Sequence, residues 1–223
     1  WASVTITGKA PFKSLFGYET LKDEKGEEMH KSKGNAIWFD DAVEKIGADP
    51  IRLLYCLQDP SQELRFGFNA LKEPKNNLTI FYNLSRLVEN TKKTGKLNIE
   101  DKWILSKFNS LIKQVTEELE NLRPHLATRA LQNFWVNDFS RGYIQFVRDR
   151  ISENDVAAKF TLKEIYTNLL KLAAPIIPFM TEKIWQELLE KKIVDEKSVH
   201  LLSWPKADGK KIDKKLEEDF EIV

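Results

Sequence analysis

The stretch WILSKFNSLIKQVTEELENL, residues 103–122, shows most plainly how this chain folds. Its apolar residues recur three or four positions apart, at Phe108, Leu111, Val115, Leu119 and Leu122. This spacing puts them on one face of an α-helix, while lysines and glutamates fall on the other face. The stretch therefore predicts a long helix that packs one side against neighbouring helices.

Similar periodicity continues on both sides of this stretch, from about Asn69 onward. Arg123-Pro124 interrupts it, and a third helix is expected from His125 to Ile151. Thr161-Leu-Lys-Glu164 reads as a capping box that starts a fourth helix, which should end near Ala174. Three further segments are expected downstream: a helix from Pro178 or Thr181 to Leu189, a short strand or extended segment over Val199–Trp204, and a surface helix or partly disordered tail over 206–221.

The first 70 residues have a different character. Val4–Ile6 and Phe12–Thr20 are rich in β-branched and aromatic residues and predict two strands. A helix is expected to start near Phe39, with an aspartate as its N-cap, and to end at Gly47. Another should begin at Asp49-Pro50. The chain is therefore predicted to be a small α/β piece followed by an antiparallel helical bundle.

Composition narrows the class of protein. Of 223 residues, 42% are hydrophobic and 31% charged, and the formal net charge is +1, so no strongly basic average marks a nucleic-acid binder. The single cysteine, Cys56, excludes an internal disulfide, and no His or Cys cluster predicts a metal site. No apolar run approaches ~20 residues, so we expect a cytoplasmic protein without a membrane partner. Because the chain starts at Trp1, we expect a piece of a longer protein.

The segment MHKSKGN, Met29–Asn35, is the strongest candidate for a binding loop. Lys31 can reach a phosphate as a point charge, Ser32 can donate a hydroxyl hydrogen bond, and Gly34 lets backbone amides approach an anion. Such a loop can stabilise charge that develops on a polyphosphate. The residues alone leave a solvated surface loop as the alternative.

Several motifs together resemble class I aminoacyl-tRNA synthetases. The loop is similar to the family pattern K-M-S-K-S followed by G-N, and a G-A-D-x-x-R element follows over 47–52. Three later segments are similar to isoleucyl-tRNA synthetases in particular: DKWILSKFNSLIK from Asp101, APIIPFMTEKIWQEL from Ala174 and VHLLSWP from Val199. The resemblance covers nearly the whole chain and implies the end of a Rossmann-type catalytic domain, residues 1–68, followed by a mainly α anticodon-binding bundle, residues 69–223.

The resemblance also implies roles for the loop. Lys31 would be the catalytic residue that binds the ATP phosphates, with Mg²⁺ accompanying the nucleotide, although this chain alone would hold no cofactor. Glu28 stands where the family usually has its first lysine, and an acid there repels a triphosphate. The missing N-terminal catalytic half would be a partner, and the protein would be a monomer. The implied ATP-binding residues are Met29, His30, Lys31, Ser32, Gly34 and Asn35.

The bundle would bind the anticodon of a tRNA, most naturally the isoleucine tRNA. Arginines interleaved with aromatics suit RNA, because arginine binds phosphate and aromatic rings stack on unpaired bases. The alternatives are that the aromatic stripe is core and that the arginines pair with nearby acids. Valyl- or leucyl-type specificity, a free-standing tRNA-binding module and a plain scaffold also stay open. The candidate tRNA-binding residues are Arg52, Trp135, Arg141, Arg148 and Arg150.

Overall fold

The computed structural model describes residues 1–91 and 94–221. The first part contains α1 (Ala2–Thr7), the short strand β1 (Leu21–Lys22), α2 (Phe39–Ile46), α3 (Ala48–Leu57) and β2 (Leu64–Arg65). The two strands pair in parallel, with Leu21 opposite Leu64. Gly47, at φ 101°, lies between α2 and α3, as expected for a residue that ends a helix.

Both strands predicted near the N-terminus are wrong. Val4–Ile6 lies within α1, whose residues are all at least partly exposed, and residues 12–20 form no regular element. β-branched residues favour strands only where a partner strand or a packed face stabilises them. Neither is present here among the described residues, so the local preference does not decide the conformation.

The second part is the helical bundle. It comprises α4 (Lys72–Leu84), α5 (Ile99–Glu120), α6 (Pro124–Asn133), a π-helix (Phe134–Tyr143), the short α7 (Ile144–Phe146) and α8 (Arg148–Ser152), α9 (Val156–Ala173), α10 (Pro178–Glu190) and α11 (Lys214–Glu221). Single 3₁₀ turns lie at Ser85–Leu87, Val199–Leu201 and Gly209–Lys211. Within the described ranges, no helix is long and apolar enough to cross a membrane.

The helix boundaries follow local capping chemistry. Asn98 and Asp101 form a capping box at the start of α5, and Pro124 and Pro178 occupy the first turns of α6 and α10. The predicted capping box at Thr161 is wrong, because the Asp155 carboxylate accepts the Ala158 N–H at 2.8 Å and starts α9 earlier. The predicted helix over 125–151 is also interrupted, by the π-helix and by a break at Val147.

An aromatic core fills the bundle. Seven aromatic side chains are at most 2% exposed: Phe81, Phe134, Trp135, Phe139, Tyr143, Tyr166 and Trp185. Burial of each contributes about 1.5–3 kcal/mol. Phe81 packs edge-on against Trp135 with ring centroids 5.1 Å apart, and Tyr166 lies 5.6 Å away. The first part of the chain has a separate small core, which is formed by Ala42, Ile51, Phe66 and Leu71.

Candidate functional site

The candidate loop rises from a tight turn beside β1. The Asp23 carboxylate accepts backbone N–H bonds from Lys25 and Glu27 at 2.9 and 2.8 Å, which closes this turn. A hydrogen bond from Asn35, and then that from Glu27, lower the pKa of Asp23 below its ordinary value. The turn is therefore built around an ionised carboxylate that also contacts the far end of the loop.

Asn35 closes the loop. Its Oδ1 accepts the backbone N–H of His30 at 2.9 Å, and its Nδ2 donates to Asp23 Oδ2 at 2.9 Å and to the Glu28 carbonyl at 3.2 Å. These three bonds use both ends of the amide. Asn35 therefore shapes the loop from within.

The base of the loop is apolar and its head is exposed. Met29 and Ile37 flank the loop and pack against the small core of Ala42 and Phe66. Between them, Lys31–Lys33 forms a 3₁₀ turn that ends at Gly34. Gly34 has φ 69° and open space where a Cβ would lie, so glycine is needed for its backbone conformation and nothing crowds the head.

Lys31 and His30 each have a close neighbour at the head of the loop. Lys31 Nζ lies 4.5 Å from the ring centroid of the exposed Trp38. His30 Nε2 lies 3.1 Å from the Glu28 carboxylate, the acid that stands where the family has a lysine. The lysine ammonium and the Ser32 hydroxyl remain at the surface, where they can bind phosphate oxygens. No group of three or more His, Cys, Asp or Glu side chains in residues 1–91 and 94–221 is arranged to hold a metal ion.

Arg52, predicted to bind tRNA, instead ties α3 to the turn between α9 and α10. Its Nε donates to the Ile176 carbonyl at 3.0 Å and its Nη2 to the Pro175 carbonyl at 2.9 Å. One helical turn earlier, the buried Asp49 accepts the Met180 N–H at 2.6 Å. Burial raises the pKa of Asp49 despite this bond. The motif over 47–52 thus joins the two parts of the chain.

The π-helix separates the predicted RNA-binding residues onto two faces. Trp135 is 0% exposed, so the prediction that its ring stacks on a base is wrong; it belongs to the core, as do Phe139 and Tyr143. Arg141 is exposed on the opposite face, where its Nη1 donates to Asn137 Oδ1 at 3.3 Å. Arg141 therefore keeps the position that contact with an RNA requires.

Arg150 also needs correction. It donates to both carboxylate oxygens of the fully buried Asp101, at 3.1 and 2.7 Å, and to Asp155 at 3.1 Å. Asp101 also accepts the Tyr143 hydroxyl at 2.6 Å. The hydrogen bond to Asp101 raises the pKa of Arg150, and burial raises that of Tyr143. Arg150 therefore neutralises a buried acid, whereas Arg148 lies exposed on α8.

Beside Arg141 lie polar residues that the sequence motifs did not indicate. Asn133, Asn137 and Arg141 recur every four residues and form a polar stripe opposite the aromatic one. They line a groove between α4 and the helix pair of α6 and the π-helix, together with Asn77, Arg129 and Gln132. The four-residue spacing is a sequence signal for this groove. The adjacent aromatic residues instead favoured the prediction that RNA binds on the other face.

The chain is similar to known proteins over its whole length. A family model described as the anticodon-binding domain of tRNA ligase matches residues 101–223, and one described as class I tRNA synthetases (I, L, M and V) matches residues 1–67. The isoleucine–tRNA ligase of Thermococcus kodakarensis is 37% identical over 241 residues, covering 100% of this chain and 22% of that protein. The valine–tRNA ligase of Pyrococcus abyssi is 35% identical over 241 residues, covering 100% of this chain and 27% of that protein.

Solved structures show the same fold. A LeuRS–tRNA–LeuAMS complex from Agrobacterium radiobacter K84 aligns with a TM-score of 0.70 and 17% identity, over 91% of this chain and 25% of that one. A methionyl-tRNA synthetase of Mycobacterium tuberculosis aligns at 0.63 and 18%, over 75% and 37%. The chain spans about a fifth of the length of the isoleucine ligase relative. Because the anticodon-binding model covers more than half of the chain and the class I model precedes it, the chain belongs to the class I tRNA synthetases, in the part that carries the anticodon-binding domain.

Proposed function

We propose that the chain is the C-terminal part of an isoleucine–tRNA ligase. The parent enzyme would activate isoleucine with ATP and transfer it to tRNA, and this part would supply the phosphate loop and the tRNA-binding bundle. The 37% identity to an isoleucine–tRNA ligase over the full chain supports the choice of amino acid. The chain alone is not expected to activate an amino acid.

The observation that carries the phosphate-loop assignment is a loop fixed at both ends with an exposed cationic head, in which Lys31 lies against the Trp38 ring. Asn35 and Met29 hold its base, while Lys31, Ser32 and Gly34 form the head. Preorganised donors stabilise developing charge because they need no rearrangement during the reaction. We assign the catalytic role to Lys31 and an ATP-binding role to the head and to His30, with Met29 and Asn35 contributing through the shape of the loop.

Mg²⁺ would enter with the nucleotide. The loop offers cationic and hydroxyl donors, which fit phosphate oxygens, and magnesium at such sites is bound largely by phosphates and water. Its chemistry would be to neutralise charge on the phosphates, while Lys31 contacts the same group from the protein side. A direct test is to titrate the 223-residue chain with Mg-ATP and follow the amide resonances of residues 31–35. Shifts confined to that segment, and lost in Lys31→Ala, support the assignment.

We propose that the whole chain divides into a catalytic-domain piece, residues 1–68, and an anticodon-binding domain, residues 69–223. Residues Arg141 and Arg148 would contact the tRNA backbone, since both are exposed on the bundle. The partners would be an isoleucine-type tRNA and the N-terminal catalytic half, in a monomeric cytoplasmic enzyme. Valine specificity is the second candidate, favoured by the 35% identity to a valine–tRNA ligase.

The test is a titration of the purified chain with an isoleucine tRNA transcript, the same transcript carrying a swapped anticodon, and a valine tRNA transcript. Each is measured at several salt concentrations. Tighter binding to the native isoleucine anticodon is expected. Equal and steeply salt-dependent binding to all three would reduce the bundle to an electrostatic surface. Preference for the valine transcript would reassign the amino acid.

A further inference from the structure

The indole ring of Trp38 lies beside the lysine at the head of the phosphate loop. Lys31 Nζ is 4.5 Å from the centroid of this ring. A cation within about 6 Å of a ring centroid is attracted to the ring face, and tryptophan gives the strongest contact of this kind. Trp38 is 56% exposed, so the contact is made at the surface of the loop and not in a core.

The backbone of Trp38 is fixed on both sides. The preceding residue, Ile37, packs against the small core of Ala42 and Phe66. Trp38 itself is the N-cap residue of α2, and its carbonyl accepts the Ala42 N–H at 3.0 Å. Side chains carried by such elements are placed more precisely than those carried by loops. The ring is therefore an anchored surface, whereas Lys31 extends from an exposed 3₁₀ turn.

The acid at the head of the loop is engaged by another residue. The Glu28 carboxylate lies 3.1 Å from His30 Nε2. Within residues 1–91 and 94–221, no carboxylate oxygen lies within 4 Å of Lys31 Nζ. A carboxylate partner would offset the positive charge that attracts a phosphate, whereas an uncharged ring leaves that charge in place. Trp38 therefore holds the lysine without neutralising it.

Confinement of Lys31 affects phosphate binding through conformational entropy. The ammonium is carried on a flexible four-carbon stem, and a ligand that immobilises this stem removes its rotamer freedom. A side chain that is already confined in the unbound protein loses less freedom on binding, and the affinity is higher for that reason. The contact with the Trp38 ring confines Lys31 in this way before any ligand arrives.

We propose that Trp38 is a positioning residue of the phosphate loop, whose ring holds the Lys31 ammonium in place to meet the phosphate oxygens of ATP. The inference rests on the proposed function, because it specifies how another residue supports the phosphate role of Lys31. Trp38 acts through Lys31 and contacts neither the base nor the phosphates. For a cation–π contact at an exposed site, the expected effect on affinity is about 2- to 5-fold.

The first arm of the experiment follows the Lys31 side chain by NMR in the 223-residue chain. The ring current of Trp38 should move the Hε resonance of Lys31 upfield. Trp38→Leu should abolish this displacement, and Trp38→Phe, which keeps an aromatic face, should retain part of it. Phe39→Leu is the matched control, because Phe39 is the adjacent ring, is 70% exposed and has no cation–π contact with Lys31 among the described residues. It should leave the Lys31 resonance unchanged.

The second arm measures affinity for Mg-ATP and for magnesium tripolyphosphate, which has no base. Trp38→Leu should weaken the binding of both about 2- to 5-fold, Trp38→Phe should weaken it less, and Phe39→Leu should not weaken it. A loss confined to Mg-ATP would show that the ring contacts the base. Tighter binding by Trp38→Leu would show that the ring competes with the phosphates for the ammonium. Either result overturns the proposal.

Two further outcomes separate this inference from the proposed function. If neither probe moves the amide resonances of residues 31–35 in the unaltered chain, the phosphate role of Lys31 fails and the positioning role fails with it. If both probes bind and Trp38→Leu binds them as tightly as the unaltered chain, the phosphate role stands and only the role of Trp38 is overturned. Urea midpoints should be equal for all variants, because both substituted rings are exposed.

Discussion

The bundle and the first 68 residues use their apolar side chains in opposite ways. In the bundle, Trp135, Phe139 and Tyr143 are 0% exposed. In the first part, Trp1 is fully exposed, Ile6 is 82% exposed and Tyr18 is 81% exposed. The bundle is therefore stabilised by a large buried core, whereas the loop region combines a small apolar core with local hydrogen bonds around Asp23 and Asn35. The larger core and the candidate loop lie in different parts of the molecule.

The largest expected effect comes from the buried acid of the bundle. Asp101→Ala leaves Arg150 and Tyr143 without their shared acceptor and should lower the free energy of unfolding by about 3–5 kcal/mol. Urea denaturation measures the change. Asp155→Ala is the control, because the Asp155 side chain is 35% exposed and should cost less. A loss below about 1 kcal/mol for Asp101→Ala would contradict the view that the bundle depends on this buried network.

Leu53 tests how separate the two regions are. It lies on α3, before the proposed boundary at 68, yet it is 0% exposed and belongs to the core of the bundle. Leu53→Ala should cost about 2–5 kcal/mol of unfolding free energy, measured by thermal or urea denaturation. Ile6→Ala, at an exposed position, should change stability by no more than about 0.5 kcal/mol. Equal effects of the two changes would show that α3 does not stabilise the bundle.

Tyr166 tests whether a hydrogen bond, in addition to packing, stabilises the core of the bundle. Its hydroxyl donates to the Phe81 carbonyl at 2.7 Å inside the bundle. Tyr166→Phe removes this bond but keeps the ring, so we expect a loss of about 1 kcal/mol in urea denaturation. Tyr18→Phe, on an 81% exposed ring, is the matched control and should be neutral. A neutral Tyr166→Phe would mean that packing alone holds α4 against α9.

The smallest effect on overall stability is expected in the loop, where pH should act locally. The pKa of Asp23 is lowered in the fold from its ordinary 3.8, so its stabilising bonds are complete above that pH and are lost as pH falls through the lowered value. The amide resonances of Glu27 and His30 should therefore move together in acid while those of α9 do not. Asp23→Asn should abolish the titration. Movement of the α9 resonances over the same pH range would refute a local effect.

The sequence predicted the bundle better than the first part. Helical periodicity located α5 and α10 because each buries an apolar stripe against its neighbours. It could not place the start of α9, where Asp155 and Thr161 are both plausible caps and only the packing of the following turn decides between them. It also could not predict the π-helix, which depends on how Phe134 to Tyr143 fit the core.

For the candidate site, residue types indicated the chemistry of the loop but not its internal bonds. Asn35 was expected to shape the loop or touch the nucleotide, and only the fold shows it bonded to Asp23, 12 residues away. Sequence spacing likewise put arginines near aromatics without showing that the two groups face opposite sides. Long-range contacts, such as Arg150 with Asp101, carry no local signal.

Helix α3 gives one buried apolar residue to each core: Ile51 to the small one beneath the loop and Leu53 to that of the bundle. Together with the Arg52 bonds to the turn before α10 and the Asp49 bond to the first turn of α10, this makes α3 the structural link between the two ends of the chain. If a ligand at one end displaces α3, it changes the affinity for a ligand at the other end, and the second ligand changes the affinity for the first by the same factor.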